Sequence, residues 1–172
     1  MIKIDIAKCT GCRMCETSCS FFHSGQTGRL MSRIKVVNIY ETGIDGPVVC
    51  QQCRERYCMV CHVNAMSIGE YGQVVISHTV CIQCDKCMNA CPIGAIEHNE
   101  DIYLVCDLCG GSPKCVENCS EKAIIYDPLE SESVSLEDFK KESKRKNASE
   151  KQANFIMLSG KSLRKKWREE HA

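Results

Sequence analysis

Aromatic residues make up only 6% of the 172 residues, and proline occurs four times. Such a composition excludes an aromatic-rich core, and the balance of 22 basic against 22 acidic residues offers no surplus of positive charge for coating nucleic acid. No stretch approaches the run of about eighteen apolar residues typical of a membrane span, and the opening MIKIDIAKC does not look like a signal peptide. The sequence therefore predicts a cytoplasmic protein that binds no nucleic acid and does not span a membrane.

Motifs for independent catalysis are also missing. The sequence contains no G-x-G-x-x-G, no phosphate-binding loop and no Ser-His-Asp constellation. Its five histidines are spread along the chain, at His23, His62, His78, His98 and His171. We therefore expect a protein without a catalytic site of its own.

Cysteine is the abundant residue, with 16 in the chain. Reducing conditions in the cytoplasm keep thiols from pairing, so this density indicates metal binding rather than a disulfide scaffold. The cysteines form four groups of four: Cys9, Cys12, Cys15, Cys19; Cys50, Cys53, Cys58, Cys61; Cys81, Cys84, Cys87, Cys91; and Cys106, Cys109, Cys115, Cys119. The first and third groups share C-x2-C-x2-C-x3-C, and Pro92 completes the third, which indicates internal duplication.

This spacing favours [4Fe–4S] clusters. Three cysteines within seven residues form a tight loop whose sulfurs converge, and in two-cluster ferredoxins the fourth cysteine of such a run binds the other cluster. Zinc is the alternative, but tetrahedral zinc sites use two separated ligand pairs and have no obvious use for the third closely spaced cysteine. Crossed ligation predicts four sets: Cys9, Cys12, Cys15 with Cys119; Cys106, Cys109, Cys115 with Cys19; Cys81, Cys84, Cys87 with Cys61; and Cys50, Cys53, Cys58 with Cys91.

The predicted fold class is α+β, with two nested, bacterial-type, two-cluster ferredoxin-like modules. Cysteine groups one and four form the outer module, and groups two and three form the inner one. Short strands are predicted in pairs, at 65–68 with 73–77, at 95–98 with 102–105, and at 2–6 with 123–126. A further strand is predicted at 34–40. These elements make up a four-cluster domain over residues 1–128.

Residues 129–172 contain no cysteine and form a separate, partly helical tail. Through Pro128 the chain has 11 basic and 14 acidic residues, a net charge of −3, whereas the tail has 11 and 8, a net charge of +3. Ser135 with Asp138 resembles a helix start, which predicts a helix over 135–150. The tail is either a solvated charged helix or a docking arm, whose apolar side chains would face a partner subunit. Those side chains are Ile156, Met157, Leu158, Leu163 and Trp167.

Several phrases of the first 127 residues resemble the four-cluster ferredoxin-like subunits that carry electrons for molybdenum or tungsten enzymes. They are CTGCRMCETSCSFFHSG at 9–25, SRIKVVN at 32–38, VVCQQC at 48–53, CIQCDKCMNACPIGAI at 81–96 and VCDLCGGSPKCVENCSEKAI at 105–124. Within that group they are most similar to partner subunits of tungsten enzymes of the aldehyde oxidoreductase family, such as class II benzoyl-CoA reductase. The chain departs from the pattern at His62, Ser20 and Ser120, which stand where prolines are customary, and in the two-residue gap between Cys58 and Cys61.

The resemblance implies an electron-transfer subunit that relays single electrons through four [4Fe–4S] clusters. It implies a hetero-oligomer with a large tungsten- or molybdenum-pterin catalytic subunit, together with further redox subunits. That partner is a class II benzoyl-CoA reductase or, alternatively, a tungsten aldehyde oxidoreductase, another molybdopterin enzyme or a hydrogenase complex. A zinc-binding interaction module is the remaining alternative.

Overall fold

The computed structural model describes residues 1–129 and 134–171, with the side chains of the last helix described through residue 163 and at residue 169. The described strands are β1 (Ile2–Ile4), β2 (Lys35–Ile39), β3 (Ile44–Val48), β4 (Met66–Ile68), β5 (Val74–Ile76), β6 (Glu97–Asn99), β7 (Ile102–Leu104) and β8 (Ile124–Tyr126). The described α-helices are α1 (Met14–Ser24), α2 (Lys86–Ala90), α3 (Lys114–Glu117), α4 (Glu137–Glu142) and α5 (Ala148–His171). Two 3-10 turns, Ile6–Lys8 and Leu108–Gly111, complete them. The fold is α+β, as predicted.

The described strands pair as antiparallel two-stranded sheets: β1 with β8, β2 with β3, β4 with β5, and β6 with β7. The first of these sheets joins the beginning and the end of the cysteine-containing region, with Ile2 opposite Tyr126 and Ile4 opposite Ile124. The three strand pairs predicted from the sequence are confirmed, each within two residues of its expected bounds. The strand predicted at 34–40 is confirmed as β2, and its partner β3 was not predicted.

Apolar side chains and cysteines share the same cores. One core contains the fully buried Ile2 and Leu108 together with Cys15, Cys19, Cys106 and Cys115. A second packs Ile93 and Ile156 around Cys91, and a third packs Val74 and Ile96 around Cys58. The short strands and helices therefore serve mainly to enclose the cysteines, since a sheet of two three-residue strands is not stable alone.

The tail folds back onto the cysteine-containing region. Helix α5 packs across β2 and β3, and Phe155 packs against Phe139 of α4 with ring centroids 4.9 Å apart. The predicted helix over 135–150 is broken between α4 and α5, where Arg145 has a φ of +64°. None of the helices that the structure describes combines the length and apolar character that a membrane crossing requires.

The expectation that Ile156 faces a partner subunit is wrong. Its side chain is fully buried, and a Cβ at Gly46 of β3 would lie only 2.6 Å from its Cδ1 atom. Met157 and Leu158, the next two residues, are exposed. The helix therefore turns one apolar face inward and leaves these two side chains outside, and the side chain of Trp167 lies outside the described residues.

Candidate metal centres

The first cysteine group lines a cavity together with the last cysteine of the chain. The four cysteines around this cavity are Cys9, Cys12, Cys15 and Cys119. The chain turns between the first two at Gly11, whose φ of +69° is in the left-handed region that favours glycine. A Cβ at Gly11 would also lie 2.8 Å from the carboxylate of Asp45, so the loop approaches β3 as only glycine allows. Cys15 lies in the first turn of α1, and Cys119 follows α3.

A second cavity repeats this arrangement in the inner part of the sequence. The four cysteines around it are Cys61, Cys81, Cys84 and Cys87. Ile76 of β5 and Tyr103 of β7 also line the cavity, so two hairpins form its wall. The start of α2 places Cys87 on the first helical turn, as the start of α1 places Cys15.

A third set consists of Cys50, Cys53, Cys58 and Cys91, whose sulfurs act on one another electrostatically. Burial raises the pKa of Cys50 to about 12, and Cys91 and Cys53 add to that rise. Burial is also the largest cause of the raised pKa of Cys58, followed by repulsion from the other three thiolates. Such mutual effects place the four sulfur atoms within electrostatic range of one another.

The fourth set consists of Cys19, Cys106, Cys109 and Cys115. Burial raises the pKa of Cys106 well above the usual thiol value, and Cys115 and Cys19 contribute to that rise. The pKa of Cys115 is raised by burial first and then by Cys19. All sixteen cysteines are free of disulfides. Two of the predicted sets thus line a cavity each, and the cysteines of the other two influence one another electrostatically. The ligand sets themselves, and their binding of metal, remain predictions.

Backbone amides donate to the last sulfur of each cysteine group. The N–H groups of Ala65, Ala95 and Ala123 donate to Sγ of the cysteine four residues earlier, each over 3.3 Å. In the first group the N–H of Arg33 donates to Sγ of Cys19, also over 3.3 Å. Because a hydrogen bond to the charged form favours that form, these amides stabilise thiolates. An alanine recurs in the sequence four residues after the last cysteine of three groups, and its N–H group is the donor of this bond.

The chemistry of the four sets fits a cationic iron–sulfur core. Buried thiols with raised pKa values stay protonated on their own, and burial raises the pKa of Cys15, like that of Cys50, to about 12. Bound metal would supply the positive charge that holds four thiolates together. Among the residues that the structure describes, none offers a hydrogen-bond partner to the buried Nε2 of Gln52, which lies between Cys50 and Cys53. Gln52 was not singled out from the sequence, although its place inside a C-x2-C loop is a usable signal.

His23 lies beside the fourth set. Its Nε2 is 3.7 Å from Sγ of Cys109 and 3.4 Å from Oδ1 of Asp107. Burial is the main cause of the lowered pKa of His23, and the guanidinium of Arg33 adds to it. Nothing in the sequence pattern tied His23 to a cysteine, and the structure places it half-buried against one. His62, which stands where a cluster-flanking proline is customary, lies 3.5 Å from Nζ of Lys86 on an exposed face.

Several of the four sets are linked to one another by electrostatic or packing contacts. Cys15 of the first set acts on Cys115 of the fourth, and Cys50 of the third acts on Cys106 of the fourth. At the other side, Cys58 of the third set belongs to the core against which Cys81 and Cys87 pack. These contacts link the Cys9 set to the Cys106 set, the Cys106 set to the Cys50 set, and the Cys50 set to the Cys81 set. The exposed cysteines, Cys12 and Cys84, belong to the Cys9 set and the Cys81 set.

Comparison with known proteins supports a common origin with iron–sulfur electron carriers. The 4Fe-4S binding domain family matches residues 74–97, the segment with the third cysteine group. The polyferredoxin-like subunit of an aliphatic sulfonate oxidoreductase from Pyrococcus furiosus is 43% identical over 66% of this chain and 68% of its own length. The putative electron transport protein YsaA of Escherichia coli is 36% identical over 70% and 84%. This chain belongs to the ferredoxin-like electron-transfer subunits of oxidoreductases.

Another member of this ferredoxin-like family is a subunit of the anaerobic dimethyl sulfoxide reductase of Escherichia coli. It is 32% identical over 74% of this chain and 72% of its own length. Among solved structures, the active site complex BamBC of benzoyl coenzyme A reductase contains a polypeptide that is 28% identical, with coverage of 73% and 74% and a TM-score of 0.43. A superposition this loose does not define a shared overall arrangement.

Proposed function

We propose that this chain holds one [4Fe–4S] cluster at each of its four cysteine sets and relays single electrons within an oxidoreductase complex. The proposed ligands are Cys9, Cys12, Cys15 and Cys119; Cys106, Cys109, Cys115 and Cys19; Cys50, Cys53, Cys58 and Cys91; and Cys81, Cys84, Cys87 and Cys61. One observation carries the proposal: around each of two cavities, three cysteines of one group lie with the last cysteine of another. When bound, such clusters supply reversible one-electron chemistry.

Two nested ferredoxin-like modules follow from these ligand sets. The outer module uses cysteine groups one and four, and pairing of β1 with β8 closes it. The inner module uses groups two and three and contains the hairpins β4–β5 and β6–β7. We include residues 1–128 in this four-cluster domain and propose that the tail from 129 to 172 is a distinct element seated on it.

The protein residues hold the sites, exclude water and stabilise charge. Backbone N–H groups donate to sulfur at four positions, which favours the thiolate form that binds iron. Cys91 and Cys106 lie in the interior, whereas Cys12 of the Cys9 set and Cys84 of the Cys81 set are exposed. We therefore propose that electrons enter near one of these exposed cysteines and leave near the other.

The proposed partner is a large catalytic subunit with a tungsten or molybdenum pterin cofactor, in a hetero-oligomer. The names of the relatives support a catalytic oxidoreductase partner, because two of them are subunits of an aliphatic sulfonate oxidoreductase and of an anaerobic dimethyl sulfoxide reductase. The sequence phrases around the cysteines favour the tungsten enzymes, with class II benzoyl-CoA reductase as the specific candidate. Sixteen free thiols suit the reducing conditions of the cytoplasm.

Anaerobic reductive titration tests the relay. Purified protein should take up about four electrons per chain, one for each cluster, as its visible absorption bleaches. A colourless protein that takes up no electrons and contains zinc would contradict the proposal and favour the zinc-binding module. For the partner, affinity purification from the native host should recover a large subunit with tungsten or molybdenum, and recovery without either metal would contradict the pterin assignment.

A further inference from the structure

Lys151 is a buried lysine on the first turns of α5, with 4% of its surface exposed. Its Nζ donates to the backbone carbonyl of Asn89 over 2.7 Å. Asn89 lies in α2, two residues before Cys91. The tail therefore places an amino group beside the loop that ends in the last cysteine of the third group.

Among the residues that the structure describes, no carboxylate pairs with Lys151. The other buried lysine, Lys35, has such a partner, because its Nζ lies 2.9 Å from the Glu97 carboxylate. A buried ammonium without a negative counterpart is costly, and lysines are seldom buried unless they are paired. A nearby negative charge that no described carboxylate supplies would therefore stabilise the ammonium of Lys151.

Cys91, two residues after Asn89, is a source of negative charge in the segment that Lys151 contacts. Burial is the main cause of the lowered pKa of Lys151, and attraction to the Cys91 thiolate opposes it. Attraction to Lys151 in turn counts among the effects that lower the pKa of Cys91, although burial raises it overall. The two groups thus lie within electrostatic reach of each other in the protein interior, where charges are weakly screened.

Helix α5 is fixed firmly at this point. Nε2 of Gln152 donates to the carbonyl of Gly94 over 2.9 Å and to Oε1 of Glu97 over 2.6 Å. A Cβ at Gly94 would lie 2.5 Å from the carbonyl oxygen of Ala148, so the helix start touches the loop after Cys91 directly. The position of the Lys151 amino group relative to Cys91 is therefore set by the fold.

We propose that Lys151 is a positioning residue that raises the reduction potential of the cluster held by the third cysteine set, Cys50, Cys53, Cys58 and Cys91. This inference rests on the proposed function, since it requires a cluster at that set. Reduction adds one negative charge to the site, and a fixed ammonium beside Cys91 stabilises the more negative state. The C-terminal helix is then a permanent part of the redox domain at this point.

The test compares midpoint potentials of the loaded protein in anaerobic titrations followed by electron paramagnetic resonance. The signal of the third set is assigned as the one lost in Cys53→Ser. In Lys151→Met that signal should become harder to reduce, with the reduced-to-oxidised ratio at a fixed potential falling about tenfold, which equals about 59 mV for one electron. Lys151→Arg retains the charge and should stay close to wild type, as should Lys161→Met, which removes an exposed lysine of the same helix.

Separate outcomes would overturn the inference and the proposed function. Full iron content with an unchanged third-set potential in Lys151→Met would overturn the role of Lys151 and leave the relay intact, whereas wild-type protein without iron would overturn the relay. If Lys151→Met loses iron, Lys151→Gln decides, because it loses the charge and keeps a donor for Asn89. Loss of the third-set cluster in Lys151→Gln as well would show that the lysine holds the structure, which also contradicts the inference.

Discussion

Cys119 lies beside Cys9 around one cavity, although Cys119 belongs to the last cysteine group of the sequence and Cys9 to the first. The two sulfurs are close enough that a charge on Cys119 raises the pKa of Cys9, after burial as the main cause. Burial is the main cause of the raised pKa of Cys106, which belongs to the same group as Cys119, and Cys115, Cys50 and Cys19 add to that rise. Neighbours in sequence are thus divided between different sets.

This division predicts which cluster is lost when one cysteine is substituted. Cys119→Ala should remove the cluster of Cys9 and leave that of Cys106, with a loss of about four of about sixteen irons per chain. Cys109→Ala is the matched control, since it should remove the cluster of Cys106 and spare that of Cys9. Iron analysis with Mössbauer or paramagnetic resonance spectroscopy identifies the lost site. The same lost signal in both variants would contradict the crossed arrangement.

The close contact between Gly94 and the start of α5 predicts that a side chain at Gly94 destabilises the packing of α5. Gly94→Ala introduces strain at a φ of +65° and a collision with the Ala148 carbonyl, whereas Gly25→Ala introduces similar strain at +69° with nothing within 4 Å. Left-handed strain costs about 1–2 kcal/mol in either variant, and the collision should cost Gly94→Ala about 1–3 kcal/mol more. Thermal unfolding and amide hydrogen exchange in α5 measure the difference. Equal losses in the two variants would show that α5 does not rest on Gly94.

Ile156 is buried and Met157 is exposed, so substitutions at these adjacent residues should differ in their effect on the free energy of unfolding. Ile156→Ala should reduce the free energy of unfolding by about 2–5 kcal/mol, because the side chain is fully buried against β3. Met157→Ala should change it by no more than about 0.5 kcal/mol, since Met157 is 41% exposed. Denaturant unfolding measures both. If Met157 serves a partner subunit, its substitution should weaken copurification of that subunit without loss of stability.

Proton release tests whether the cysteine sites are formed before metal arrives. Burial raises the pKa of Cys15 and Cys50 to about 12, from an ordinary thiol value of 9.0. In the iron-free fold these two thiols are therefore protonated at pH 9, and Co²⁺ binding should release close to one proton from each of them. An unfolded chain, with its thiols half ionised at that pH, should release about half as many. Release of half a proton per cysteine by the native iron-free chain would contradict preformed buried sites.

The sequence predicted the hairpins well because local signals define them. Gly69 to Gly72 and Asn99 to Asp101 separate short apolar runs, and tight turns of this kind bring adjacent strands into register. Strand β3 was missed because its Gly46 and Pro47 count against a strand, yet proline is tolerated in a sheet that has only two strands. Helix α1 was missed because it begins inside the cysteine loop, directly after Arg13 at a φ of +62°.

The tail shows why a helix start can be misplaced. The sequence predicts that Ser135 and Asp138 form the start of a helix. In the structure, the hydroxyl of Ser135 donates instead to the carboxylate of Glu55 over 2.5 Å. The reciprocal capping bonds form at α5, where the N–H of Glu150 donates to Asn147 and the N–H of Asn147 donates to Glu150. The Asn-x-x-Glu spacing was available in the sequence. The contact of Lys151 with the Cys91 loop was not, because it joins residues that only the folded chain brings together.

Iron and acid-labile sulfide per chain, measured on anaerobically purified protein, test the central claim most directly. Four complete cysteine sets should hold about sixteen iron and about sixteen sulfide ions per chain. About eight of each would mean that two of the four sets bind no cluster. Stoichiometric zinc with no sulfide would contradict the iron–sulfur relay itself.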